Sequence, residues 1–231
     1  MISIIIPAFN EEAFIENTLI QLADLRKEAE FEIIVSDGGS IDKTVAIASS
    51  YATIVHAPKG KAKQLNLAAK KALGNILFFV HADMQVPAGA LAAISKHIEE
   101  GYDSGGFSNI FLTHNAKIKS IGRLFHLRII NKSQAERKIF YGDNGIFVNK
   151  EVFEKVGGFK EIPIMEDYDF SKRMLVSYKV CLIKEPKLIV DARRHLKDGF
   201  IKTRIKWMVI KWLYLLGVPP QKLDNWYKDI R

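Results

Sequence analysis

Ile76-Leu77-Phe78-Phe79-Val80-His81-Ala82-Asp83 decides how the chain folds. Five consecutive apolar residues after the breaker Gly74-Asn75 predict a strand covered on both faces, as in the middle of a parallel sheet. The run stops on His81 and Asp83. Ligands of open α/β sheets bind just past the carboxyl ends of the strands, so a His and a carboxylate there are candidates for a metal or phosphate site. The other reading makes Asp83 a cap for the turn ahead of Pro87.

Upstream of this strand the same pattern recurs. Ile2 to Ile6, closed by Pro7, reads as a first buried strand, followed by a helix from Asn10, as N-cap, to about residue 26. Phe31 to Asp37 is a second strand, and Gly38-Gly39-Ser40 turns into a helix through about residue 50. A short strand over 53–56 precedes a helix opened by Gly60, with Leu65, Ala68, Ala69 and Leu73 on one face. Alternating strands and helices with short connections predict right-handed crossovers and an α/β fold, a mostly parallel mixed sheet flanked by helices. Further on, a helix over 88–100 ends at Gly101, strands are expected over 105–112, 146–148 and 188–190, and Ile118 to Ile130 is basic and amphipathic. Glu166-Asp167-Tyr168-Asp169 opens a helix whose Phe170, Met174 and Leu175 face inward.

With 231 residues, 48% apolar and 26% charged, the chain can bury a sizeable core and is neither disordered nor fibrous. Its single cysteine, Cys181, excludes an intrachain disulfide framework and fits a reducing compartment. No signal peptide and no run long enough to cross a bilayer is read, so a cytoplasmic protein is expected, free or at the inner face of the membrane. The net charge is +8, and from Arg193 to Arg231 ten Lys or Arg stand against three Asp, so +7 of it is carboxyl-terminal. Two units follow: a catalytic domain over 1–195 and basic amphipathic helices over 196–231.

Acidic residues fall at the ends of separate elements: Asp37, Asp83 and Glu166-Asp167. In a wound sheet those ends share one edge. Gly38 and Gly39 let a ligand approach the backbone, while Ser40 reads as a helix cap or a ligand-orienting group. Lys61, Lys63, Gln64 and Asn66 crowd a helix amino terminus, which suits a phosphate. Neither a Walker loop nor Gly-x-Gly-x-x-Gly is present, against P-loop and dinucleotide readings.

Taken in order, residues 4–12 (Ile-Ile-Ile-Pro-Ala-Phe-Asn-Glu-Glu), residues 35–44 around Asp37-Gly38-Gly39-Ser40, His81-Ala82-Asp83, Gly157-Gly158-Phe159 and Glu166-Asp167-Tyr168-Asp169 resemble the inverting family 2 glycosyltransferases with a GT-A fold. The resemblance covers about residues 2–195. Residues 60–66, Tyr141-Gly142-Asp143-Asn144-Gly145, Arg193-Arg194 and Leu216-Gly217-Val218 are similar to a small bacterial subgroup. It implies a nucleotide-sugar donor, UDP-linked, and an unidentified acceptor, lipid-linked or small. Pro7, Ala8, Asn10 and Glu11 would border the nucleoside and Asp37 would bond the base. Gly38, Gly39, Lys61, Gln64, Asn66, His81, Ala82 and Arg194 would complete the donor site. Tyr141, Gly142, Asp143 and Asn144 would face the acceptor. Asp167 would be the general base with Glu166 beside it, and Asp83 would hold Mn²⁺ or Mg²⁺ against the diphosphate. At His81 the family usually has Asp, so the cation is bound weakly, completed by His195, or dispensable.

Two other classes stay open. A nucleotidyltransferase shares a related sheet but needs a Gly-rich loop that residues 7–11 do not supply. A non-catalytic basic module would bind membrane; for nucleic acid no zinc-finger spacing or aromatic platform is present. In the tail, Trp207, Trp212 and Tyr214 among Lys and Arg fit a helix lying on an anionic bilayer. Alternatively Ile201, Ile205, Met208 and Leu215 pack onto the domain with Lys outward.

Overall fold

The computed structural model describes residues 1–112, 138–191 and 200–228. Arg193, Arg194, His195 and the amphipathic stretch from Ile118 to Ile130 lie outside the described residues.

In chain order the elements are β1 (Ile2–Ala8), α1 (Ile15–Asp24), β2 (Phe31–Asp37), α2 (Thr44–Ala48), β3 (Thr53–His56), α3 (Lys61–Lys71), β4 (Ile76–Phe79), β5 (Met84–Gln85), α4 (Ala90–Glu99), β6 (Ser104–Leu112), β7 (Phe147–Asn149), α5 (Lys150–Val156), α6 (Glu166–Ser177), β8 (Val180–Asp191), α7 (Phe200–Leu215) and α8 (Pro220–Lys228). They form one eight-stranded sheet, ordered β3-β2-β1-β4-β7-β6-β8-β5. β1 runs parallel to both β2 and β4, and β2 to β3; β7 enters antiparallel between β4 and β6. The β1–β2 register pairs Ala8 with Asp37.

Continuous apolar strands are buried from both sides, and alternation sends their side chains into two cores. Ile4, Ile6, Phe78 and Val80 join Leu19 and Leu22 of α1 on one face. Ile5, Leu77 and Phe79 meet Leu65 and Ala68 of α3, Phe153 of α5 and Phe170 of α6 on the other. Phe78 and Phe107 are fully buried, each side chain contributing about 1.5–3 kcal/mol by removal from water. A third cluster joins Ile164, Met165 and Tyr168 to Ile210 of α7 and Leu223 of α8.

Several expectations are corrected. α1 begins at Ile15 and not beside Asn10: Asn10, at a left-handed φ of 54°, is tied by its N–H and its Oδ1 to the Ser40-Ile41 loop and caps no helix. Leu73 and Leu175 are exposed; Leu73 follows the end of α3, and Leu175 turns off the face that buries Phe170 and Met174. The strand expected over 188–190 is the last part of the twelve-residue β8, whose polar middle, Lys184-Glu185-Pro186-Lys187, interrupts the apolar pattern. Gly101, at φ 86°, does end α4 as predicted. In the tail neither expectation holds as made: of the residues expected to pack inward, Ile205, Met208 and Leu215 are exposed and the side chain of Ile201 lies outside the described residues, while of those expected to face a bilayer, Trp207 and Tyr214 pack on the cluster that holds Ile210.

Candidate active site

The first turns of α3 organise the carboxyl edge of the sheet. Gly60 enters the helix at φ 137°, a conformation that a Cβ would strain. Lys61, Gln64 and Asn66 then leave in three directions. Lys61 Nζ lies 2.9 Å from Glu166 Oε1 and 3.9 Å from Asp167 Oδ2. The buried Gln64 donates from Nε2 to the carbonyls of Ala8 and Ser36, 2.8 Å each, while Ser36 Oγ donates back to the Gln64 carbonyl. Asn66 closes a two-bond clamp on the backbone of Phe159. Of the predicted donor ligands on α3, Lys61 thus faces the acids, whereas the amides of Gln64 and Asn66 hold strand ends and the Gly157-Gly158-Phe159 loop.

Asp37 ends β2 with its carboxylate buried, accepting from the N–H groups of Gly39 and Ser40 at 3.0–3.2 Å; His56 Nδ1 is 3.7 Å away. The neighbouring loops are laced together. Asn10 N donates to Ser40 Oγ and Ile41 N to Asn10 Oδ1, while Glu11 N donates to Thr44 Oγ1. Ser40 is therefore an inter-loop acceptor and not the cap of α2, and Asn10 fixes the turn that places Pro7, Ala8 and Glu11 at the edge. Gly38 is packed beneath Gln64, whose amide carbon lies 3.0 Å from where a Cβ would sit.

At the end of β4, Met84 N bonds the carbonyl of His81, closing a turn over Ala82 and Asp83. Thr18 Oγ1 anchors the Ala82 carbonyl at 2.7 Å. Asp83 is half-buried, and α4 starts at Gly89, so Asp83 does not cap that helix. Among the described residues no three His, Cys, Asp or Glu side chains cluster as metal ligands.

α6 starts from Met165 at φ 70°, a costly conformation for a residue with a side chain, and so presents Glu166 and Asp167 on its first turn. Asp167 Oδ2 accepts from Gly142 N at 2.7 Å and Oδ1 from Tyr168 N at 2.7 Å. Burial, then the Glu166 carboxylate beside it, push its carboxyl up to about 6, against the pull of Lys61 and of those two N–H groups. The loop 141–145 reaches the same point: His81 and Lys61 both stand where a Cβ on Gly142 would go. Within that loop Tyr141 stacks on Tyr168, and the Asp143 carbonyl accepts from Asn109. Asn144 is fully buried, accepting from Tyr141 N and donating to the Phe107 carbonyl, so it supports the loop. Arg173 was not read from the sequence. It pairs with Asp169 at 2.7 Å and donates to the carbonyls of Val156 and Gly158, fastening α6 to the glycine loop; its i, i+4 spacing from Asp169 was the available signal.

The profile of the family described as Glycosyl transferase family 2 matches residues 3–157. A Bacillus subtilis (strain 168) protein, the uncharacterized glycosyltransferase YfnE, is 35% identical over 104 residues, which is 42% of this chain and 26% of that one. Among solved structures, S. aureus TarS 1-349 in complex with UDP-GlcNAc superposes with a TM-score of 0.62 at 18% identity, over 82% of this chain and 58% of that one. Glucosyl-3-phosphoglycerate synthase from Mycobacterium tuberculosis, in complex with Mn²⁺, UDP and glucosyl-3-phosphoglycerate, gives 0.64 at 17% identity, over 95% and 81%. The chain thus spans about a quarter of YfnE and under two thirds of that TarS segment. These likenesses establish a GT-A fold.

Proposed function

Because this chain belongs to glycosyl transferase family 2, we propose that it moves a sugar from a nucleotide-diphosphate sugar to an acceptor hydroxyl with inversion, using Asp167 as general base. The observation that carries this reading is the position of Asp167: raised to about 6, oriented by two backbone N–H groups, and gathered with Lys61, Glu166 and Gly142 at the carboxyl edge of the sheet. A carboxyl with that value is mostly ionised at neutral pH yet basic enough to take a proton in the transition state. UDP is the first choice of nucleotide, since the related structures contain UDP-GlcNAc and UDP.

The step balances simply. The acceptor oxygen forms a bond to the anomeric carbon, its proton passes to Asp167, and the bond from that carbon to the diphosphate oxygen breaks with its electron pair on the leaving nucleotide. Lys61 holds Glu166 and Asp167 in place. Pro7, Ala8 and Asp37 form the floor for the nucleoside, and Tyr141 and Gly142 flank the acceptor side. Asp83, with His81 two residues before it, would hold a divalent cation, although among the described residues they belong to no cluster of three His, Cys, Asp or Glu side chains. What such a cation supplies when bound is neutralisation of the charge growing on the leaving group.

The test is a panel of UDP- and GDP-sugars assayed with Mn²⁺. Turnover of a UDP-sugar that Asp167→Asn lowers by about 10²–10⁴-fold, with the nucleotide-induced thermal shift retained, is expected. No turnover across the panel, together with an Asp83→Ala variant whose nucleotide-induced shift is unchanged, would sink the reading.

A further inference from the structure

We propose that the outward face of α7 and α8 seats the protein on an anionic lipid bilayer. α7 carries apolar residues on two opposite faces. Its inward face places Ile210 against Ile164, Met165 and Tyr168, with Trp207 and Tyr214 packed on the same cluster. Its outward face exposes Ile205, Met208, Val209, Trp212 and Leu215, continued by Leu216 just past the helix; Trp226 on α8 is exposed as well. At about 100° per residue, Met208, Trp212, Ile205, Leu216 and Val209 fall within one arc. Trp212 is 61% exposed, Leu216 76% and Trp226 57%. A contiguous apolar surface of this kind marks an interaction face.

The charges around that face select the occupant. Among the described residues of α7 and α8, Lys202 and Lys222 are exposed and Lys206 half-buried, against one acid, the half-buried Asp224, while Lys211 turns toward Tyr168. Aromatic and aliphatic side chains centred between Lys residues match a layer of acyl chains beneath anionic headgroups, with the long Lys stems lying along the apolar surface and their ammonium groups reaching the phosphates. A second copy docked by twofold symmetry would instead set two cationic rims against each other. Among the described residues no helix is long and apolar enough to cross a membrane, so α7 lies along the surface. The seat is joined to the site: Tyr214 packs edge-on against Tyr168 at 6.0 Å, and Lys211 Nζ is 5.1 Å from the centre of the same ring, one residue from Asp167.

Vesicles of phosphatidylcholine, alone or mixed with phosphatidylglycerol, test this by co-sedimentation. Binding to the mixed vesicles that weakens with salt is expected, with a loss of about tenfold or more in Trp212→Ser/Leu216→Ser. Trp226→Ser, on the other helix, is expected to weaken binding independently, and thermal melts check that each variant folds. Asp167→Asn is expected to bind vesicles like the parent chain, so the result does not depend on the transferase reading. A parent chain that stays in the supernatant, or binds as well after all three substitutions, overturns the proposal. So does a dimer in light scattering that the double variant dissociates without any vesicle binding, which would give the face to a second copy.

Discussion

Lys61 on α3 and Glu166 on α6 form a 2.9 Å ion pair that bridges the two halves of the sheet edge, with Asp167 3.9 Å from the same ammonium. Both side chains are largely withdrawn from water, so the pair fixes where α6 begins relative to α3. The neighbouring Glu166 carboxylate raises Asp167, and the Lys61 ammonium pulls it back down.

Replacing Lys61 by Met keeps the stem and removes the charge. The bridge is partly solvated, with Lys61 26% exposed, so a loss of about 1–3 kcal/mol is expected, below the cost of breaking a fully buried pair. Asp167 then rises further above about 6. The acid limb of the kcat/KM profile moves to higher pH by roughly half a unit to one unit, and Lys61→Arg restores most of it. An unmoved acid limb would remove Lys61 from the account of Asp167.

Asp167 itself makes stability depend on pH. Its folded value of about 6 lies above the ordinary 3.8. Between those values the folded protein keeps a proton that the unfolded chain releases, so this group lowers stability as pH rises through that window and its cost is complete above about 6. Two units correspond to an upper limit of about 3 kcal/mol; against it, Asn has one carbonyl oxygen for the two donors Gly142 N and Tyr168 N and turns its NH2 toward the other, a loss of about 1–3 kcal/mol. Asp167→Asn is therefore expected to gain on the parent in melting temperature as pH rises from 4 to 8, by an amount set by the raised carboxyl and independent of the hydrogen-bond loss common to both pH values. Turnover should fall about 10²–10⁴-fold. A difference between variant and parent that is the same at pH 4 and pH 8 contradicts the raised value.

Residue patterns revealed β1, β2 and β4 because each carries at least three consecutive apolar residues, Ile4–Ile6, Ile33–Val35 and Ile76–Phe79, and they placed Asp37 and Glu166-Asp167 at element ends. Partnership was harder to read. Gln64 and Asn66 look like phosphate ligands at a helix amino terminus, yet their amides bond the carbonyls of Ala8, Ser36 and Phe159. Only the packing of α3 across β1 and β2 shows that those carbonyls need donors there. Periodicity also failed on α7, where apolar residues on both faces leave the sequence silent about which face turns inward. Lys184 to Lys187 likewise hid the continuity of β8.

Gly142 offers the sharpest separation of function from stability. Its backbone has none of the positive φ that makes a glycine obligatory, so alanine is conformationally acceptable. The added Cβ would instead collide with the His81 imidazole and sit 2.6 Å from Lys61 Nζ. Either side chain must give way, disturbing the Lys61–Glu166 pair and the donation from Gly142 N to Asp167. Gly142→Ala is expected to lower kcat/KM by about tenfold or more, since small misplacements of a catalytic group are costly. Adding His81→Ala opens the space that Cβ needs, so the double variant should be more stable than the sum of the single effects by about 1 kcal/mol. Strict additivity in a thermal-melt cycle would mean that Gly142 and His81 do not meet, and the site would have to be redrawn around Lys61 alone.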